Sequence, residues 1–88
     1  MSETREPRLQ QAILEVVANQ LRDNEPPATR ETLQRLLREG FSETEAVRLI
    51  AHVVAAEVFE VLKEGRPYDE ARFCAALRGL PELPWREK

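Results

Sequence analysis

The chain has 88 residues, of which 42% are hydrophobic and 33% charged, and this balance is typical of one soluble globular domain spanning residues 1–88. Its 16 acidic residues outnumber its 13 lysines and arginines, which gives a net charge of -3. Such a chain lacks the positive field that attracts phosphate backbones, so nucleic acid is a disfavoured partner. A chain this short builds only a small core, and pairing with a second copy is one way to enlarge it.

The chain contains one cysteine, Cys74, and one histidine, His52. A single cysteine cannot form an intramolecular disulfide, and one cysteine with one histidine is too few for a Cys/His zinc cluster within one chain. We therefore expect no metal and no cofactor. Cys74 follows Phe73 within a helical pattern, and we expect an unreactive, packed thiol. Residues 1–8 are polar and no apolar segment follows them, so we expect no secretory signal. These features predict a cytoplasmic protein in a reducing compartment.

Apolar residues at three- and four-residue spacing predict a first helix over residues 7–23 and a shorter second helix over residues 28–39. Pro26 and Pro27 separate the two helices, because proline lacks an amide donor and disfavours helical geometry in the residue before it. Gly40 then ends the second helix. The residues expected to face the core are Leu9, Ala12, Ile13, Val16, Val17 and Leu21 in the first helix, and Leu33, Leu36 and Leu37 in the second.

The third helix begins with the clearest local signal in the chain. Ser42 is placed to accept a hydrogen bond from the backbone of Glu45, and the Glu45 side chain is placed to return one, which is a capping box. The pattern continues to Glu64, with charged residues too frequent for a membrane span. Its apolar arc covers about 140°, more than one neighbouring helix covers, so we expect this helix to be central. The arc contains Val47, Ile50, Ala51, Val54, Ala55, Val58, Val61 and Leu62.

A fourth helix is predicted to start after Asp69 and to end near Arg78. Asp69 is a suitable N-cap, and Tyr68 is placed to pack onto Phe73 across the first turn. Residues 80–88 combine prolines with large apolar residues, which favours an extended strap over another helix. The predicted fold is therefore all-α: a small four-helix bundle with a long central third helix and an extended Pro-rich C-terminal strap.

Glu57 is the candidate semi-buried acid, because its helical position lies among apolar residues. Such a carboxylate needs a basic partner, for which Arg8, Arg22 and Arg72 are the candidates, or it recognises a base on another protein. His52 has neither a nucleophile nor a second metal ligand on its own face. We therefore expect His52 to be a surface or interface residue.

Phe59 projects away from the main apolar arc of the third helix, so something apolar is expected to cover it. Aromatic residues dominate binding hot spots, which makes this face a candidate interaction surface. Both the C-terminal strap and a second chain are open as its cover. The predicted surface comprises Arg48, His52, Phe59, Lys63 and Trp85.

Residues 36–46, in which Gly40 and Phe41 precede the capping Ser42, resemble the first helix and loop of ubiquitin-associated domains. They also resemble the opening of bacterial helix-turn-helix regulators. The first resemblance implies a short second helix and a break, whereas the pattern over residues 43–64 is continuous. The second implies a polar, basic recognition helix, whereas this helix carries valine, alanine and glutamate. The binding residues of these families therefore do not transfer to this chain.

Together, these patterns predict a non-catalytic protein-interaction or structural module. A symmetric homodimer through the face of Phe59 is one form that this function can take. One alternative is a bundle that binds a small ligand or a metal through Glu57 and His52, with Glu45 as a further candidate. Another alternative is a weak nucleic-acid adaptor. The arginines that would contact nucleic acid are Arg30, Arg35 and Arg38.

Overall fold

The computed structural model describes residues 7–82, which form four helices and contain no strand. The helices are α1 (Pro7–Asp23), α2 (Pro27–Arg38), α3 (Glu43–Glu64) and α4 (Glu70–Gly79). The all-α prediction is confirmed, and α2 starts and ends one residue earlier than expected. Most of the predicted strap, including Trp85, falls on residues 83–88 and lies outside the described residues. No helix within residues 7–82 has the length and apolarity needed to cross a membrane.

The predicted caps of α3 and α4 are confirmed, and each is formed by local hydrogen bonds. The Ser42 hydroxyl accepts from the backbone of Glu45 at 3.0 Å, and the Glu45 carboxylate accepts from the backbone of Ser42 at 3.0 Å. Gly65 ends α3 in the left-handed conformation, with φ of 65°. Asp69 caps α4 by accepting a 3.1 Å hydrogen bond from the backbone of Arg72.

The core forms around α3, which packs against each of the other three helices. Ile50 is fully buried in α3, and Leu36 of α2 and Leu77 of α4 are fully buried beside it. The complete apolar core consists of Val17, Leu36, Ala46, Ile50, Ala51, Val53, Val54, Phe73, Leu77 and Leu80. Within residues 7–82, α1 and α4 both contact α3 but do not pack against each other. The bundle is therefore open between these two helices.

Several residues that were predicted to face the core are exposed instead. In α1, Val17 is buried, but Leu9 and Val16 are exposed. In α3, Val54 is 4% exposed, whereas Val58 is 42% and Leu62 is 76% exposed. Leu37 of α2 and Ala12 of α1 are also exposed. The apolar arcs are wider than the neighbouring helices can cover, so one flank of each arc faces solvent.

Polar side chains of α2 connect it to the ends of other helices. The Arg35 guanidinium donates to the backbone oxygens of Leu77 and Arg78 at 3.1 and 3.3 Å. The carbonyl of Leu77 also accepts from the backbone of Leu80, whereas that of Arg78 lies in the last turn, where carbonyls lack intrahelical partners. The contact with Arg35 therefore stabilises the C-terminal end of α4. The buried Thr29 hydroxyl donates to the Gln20 side chain at 2.9 Å, which links α2 to α1.

Candidate interaction surface

An apolar groove of about 280 Å³ lies over α3, in the opening between α1 and α4. Its walls are mainly aliphatic, with an aromatic end near the start of α4. The groove is lined by Val16, Gln20, Val54, Glu57, Val58, Val61, Leu62, Tyr68 and Phe73. Concave, mainly apolar sites of this kind are where proteins most often bind other molecules.

Leu62 joins the groove to the face that carries Phe59. It lies four residues after Val58 and three after Phe59, and side chains at these spacings are neighbours on a helix. Phe59 is 62% exposed and Leu62 is 76% exposed, so the apolar area extends out of the groove onto the α3 surface. We refer to Val16, Val58, Phe59, Leu62 and Tyr68 together as the Leu62 surface.

Four of the five residues predicted to form an interaction surface lie on one face of α3. Successive residues of a helix are rotated by about 100°, which places these four side chains within about 60° of one another around the helix axis. All four are exposed: Arg48, His52, Phe59 and Lys63. The Lys63 ammonium lies 5.8 Å from the centre of the Phe59 ring, a cation–π contact. The fifth, Trp85, lies outside the described residues.

Sequence patterns missed the aliphatic members of the Leu62 surface. Val16, Val58 and Leu62 lie on the apolar arcs, so periodicity places them in the core. Their exposure depends on the gap between α1 and α4, which is a property of helix packing that no local pattern contains. Tyr68 was predicted to pack onto Phe73, and their ring centres are 5.9 Å apart.

Glu57 lies at the floor of the groove and connects α3 to the start of α4. It is 8% exposed. Its Oε1 accepts from the guanidinium of Arg72 at 3.2 Å, and its Oε2 accepts from the backbone of Asp69 at 3.3 Å. Of the three proposed basic partners, the structure therefore places Arg72 beside Glu57. Both carboxylate oxygens are hydrogen bonded, so this acid has a structural role in joining two helices.

Tyr68 is half exposed at the rim of the groove. Burial raises its pKa to about 12, and the negative charge of Glu70 acts in the same direction. A raised pKa means that the folded chain holds the phenolic proton more tightly than the unfolded chain does. The neutral phenol therefore contributes stability that is complete below about pH 10 and is lost as the pH rises to about 12.

We expect the Tyr68 phenol to titrate near pH 12 in the folded protein. It is the only tyrosine in the chain, so the ultraviolet absorbance of the phenolate reports on this residue alone. After unfolding in urea, the midpoint should fall to about 10, the value of an unperturbed tyrosine. Far-ultraviolet circular dichroism at the same pH values verifies that the chain is folded. Equal midpoints in the folded and unfolded chain would contradict the partial burial of Tyr68.

The structure does not bring Glu57 and His52 together as a metal or catalytic pair. Their positions differ by about 140° around α3, and Glu57 is buried whereas His52 is exposed. Within residues 7–82, no group of three or more His, Cys, Asp and Glu residues is placed to hold a metal ion. Cys74 is half-buried, and burial raises the pKa of its thiol, which disfavours the reactive thiolate.

Two of the three arginines considered for nucleic-acid binding are engaged within the bundle. Arg30 donates to the backbone oxygen of Leu21 at the end of α1. Arg35 donates to the end of α4 and also forms a 3.0 Å ion pair with Glu39. A guanidinium that satisfies buried or terminal carbonyls is less available for phosphate groups. This geometry disfavours α2 as a nucleic-acid contact.

Comparisons with known proteins produced no match for this chain, whether with family models, curated proteins or solved structures. Its candidate function therefore follows from its own residues and their geometry.

Proposed function

We propose that this chain is a non-catalytic protein-interaction module that binds a partner through the Leu62 surface. The observation that supports this function is the exposure of Leu62, Val58 and Phe59 side by side on the central helix of the bundle. Scattered exposed apolar residues are ordinary on a protein surface, but a contiguous apolar area next to a groove is typical of a binding site.

The bundle is suited to present this surface in a fixed geometry. The groove floor includes Val54 and Phe73, which are buried in the core. Glu57 fixes the start of α4 against α3 through its contacts with Arg72 and Asp69. A preformed site loses little conformational entropy when a partner binds, which favours recognition.

Site-specific photo-cross-linking in the native host cell tests this proposal. We expect a photoreactive phenylalanine analogue at position 62 to yield a defined adduct, because a bound partner would cover Leu62. The matched control is the same analogue at position 37, since Leu37 is an exposed apolar residue of α2 outside the groove. No adduct at position 62, or equal adducts at both positions, would contradict the proposal.

A homodimer is the second form of this function, and the small size of the chain favours it. In that case the adduct at position 62 would have twice the mass of the chain. Sedimentation velocity of the purified protein gives an independent test, with Phe59→Glu as the disrupting variant. A wild-type protein that stays monomeric at high micromolar concentration would remove the homodimer.

A further inference from the structure

We infer that the C-terminal segment, residues 83–88, folds back onto the bundle and that Trp85 occupies a second groove, which lies between α3 and α4. Glu57 and Phe73 line both grooves, so they lie between the second groove and the Leu62 surface. The inference goes beyond the proposed function and does not depend on it. In this arrangement the chain itself covers one side of α3, and the Leu62 surface stays open to a partner.

The second groove has a volume of about 330 Å³ and follows the contact between α3 and α4. Glu57 pairs with Arg72 across this contact. Val53, one turn before Glu57, and Ala76, one turn after Arg72, line the same groove. The two helices therefore run antiparallel here, and the groove leads towards the end of α4. We refer to it as the α3/α4 groove.

The chain turns back towards the bundle where α4 ends. Leu80 is 2% exposed, so the first residue after the helix is packed into the core. The backbone of Glu82 donates a hydrogen bond to the carbonyl of Gly79 at 3.0 Å, and a four-residue turn of this kind reverses the chain direction. A segment that continues from this turn starts beside the bundle and runs back along α4.

The distance to be covered favours the α3/α4 groove over the Leu62 surface. Ala76 lies three residues before Gly79, which is about 4.5 Å along the helix. Glu70, the first residue of α4 and the nearest to the Leu62 surface, lies about 14 Å from Gly79. The turn keeps the Cα atoms of Gly79 and Glu82 within about 7 Å, and the three residues from Glu82 to Trp85 span about 10 Å when extended. Trp85 therefore reaches the level of Ala76 first.

The lining of the α3/α4 groove suits an aromatic side chain. Its walls include the buried residues Val53 and Phe73. Ala56 and Ala76, one from each helix, leave space between these walls because their side chains end at Cβ. The volume is at the lower end of the range of about 300–1,000 Å³ for small-ligand sites, which favours one inserted side chain.

Trp85 is the residue of the segment that gains most from such a site. It is the only aromatic residue after Phe73, and a tryptophan buries about 150–250 Å² of surface. Leu83 precedes Pro84, which favours an extended backbone at Leu83 and lowers the entropy that the segment loses when it docks.

The test measures acrylamide quenching of Trp85 fluorescence in the full-length protein, since Trp85 is the only tryptophan. We expect several-fold weaker quenching in the native chain than in urea, because a docked indole is shielded from the quencher. Ala76→Lys places a long charged side chain in the groove and should remove most of this protection. Ala75→Lys makes the same change at the exposed neighbouring residue of α4 and should leave the protection unchanged. Circular dichroism verifies that both variants are folded.

A second variant approaches the groove from α3. Ala56→Leu fills the groove without adding a charge and should also remove the protection, so it decides the test if Ala76→Lys does not fold. Equal quenching of the native and urea-unfolded wild type would overturn the inference. Equal effects of Ala75→Lys and Ala76→Lys would overturn it as well.

Two further outcomes identify a different site or occupant. Loss of protection in Leu62→Ser, but not in Ala76→Lys, would place Trp85 on the Leu62 surface and overturn the inference. Protection that increases with protein concentration would show that a second copy shields Trp85, and would also overturn it. Cross-linking at position 62 tests the proposed function separately, so the two failures are distinguishable.

Discussion

Replacing Ile50 by alanine is expected to lower the free energy of unfolding by about 2–5 kcal/mol. The Ile50 side chain is fully buried in α3, which packs against each of the other three helices. Its truncation removes apolar contacts and leaves a cavity that the surrounding helices fill only in part. A chain of 88 residues has a total stability of about 4–13 kcal/mol, so the loss is a large part of it. Urea unfolding followed by circular dichroism measures the effect.

Leu62→Ala is the matched control, because it truncates an aliphatic side chain of the same helix. Leu62 is 76% exposed, so we expect a change within about 0.5 kcal/mol. A cost comparable to that of Ile50→Ala would mean that Leu62 is covered by its own chain. The Leu62 surface would then be part of the core, and the proposed function would lose its main support.

Glu57→Ala is expected to lower the free energy of unfolding by about 1–3 kcal/mol, through the loss of both hydrogen-bonded acceptors. The backbone donor of Asp69 loses its partner at the start of α4, and the guanidinium of Arg72 loses its counter-charge. The side chain of Arg72 is 45% exposed, so water replaces part of that contact. Urea unfolding of the variant measures the total.

Two variants separate the contributions of Glu57. Glu57→Gln keeps an oxygen acceptor for the Asp69 backbone, so we expect a smaller loss than for Glu57→Ala. A double-mutant cycle with Arg72→Met should give a coupling energy of about 0.5 kcal/mol or more. Glu64→Ala, which removes an exposed acid of the same helix, is the control and should be nearly neutral. Strictly additive effects of the Glu57 and Arg72 changes would show that their ion pair adds nothing to stability.

The helices of this chain are predictable because their ends depend on a few adjacent residues. Ser42 and Glu45 cap α3, Gly65 ends it, and Asp69 starts α4, each through contacts within four residues. The sequence also predicts that α3 packs against more than one helix, since its apolar arc is too wide for one neighbour. Capping residues and apolar periodicity therefore predict the order of the helices without information on how the helices pack.

The candidate site is less predictable because it depends on how the helices cross. Phe59 stands out in the sequence since it lies off the apolar arc, whereas Leu62 lies on the arc and is indistinguishable from a core residue. The same limit applies to Arg35, whose contact with the end of α4 joins residues 42 positions apart. Polar contacts over such separations have no signature in residue spacing.

The short helix α4 is held at both ends by side chains from other helices. At its beginning, Glu57 of α3 binds the backbone of Asp69, and at its end, Arg35 of α2 binds the carbonyls of Leu77 and Arg78. Short helices usually open by fraying at their ends, where hydrogen bonds are exposed to water. Because both ends of α4 are hydrogen bonded to other helices, stepwise fraying of α4 is suppressed. We expect α4 to separate from the bundle as one cooperative unit. The wall of the groove that Tyr68 and Phe73 provide would then be either fully in place or fully lost.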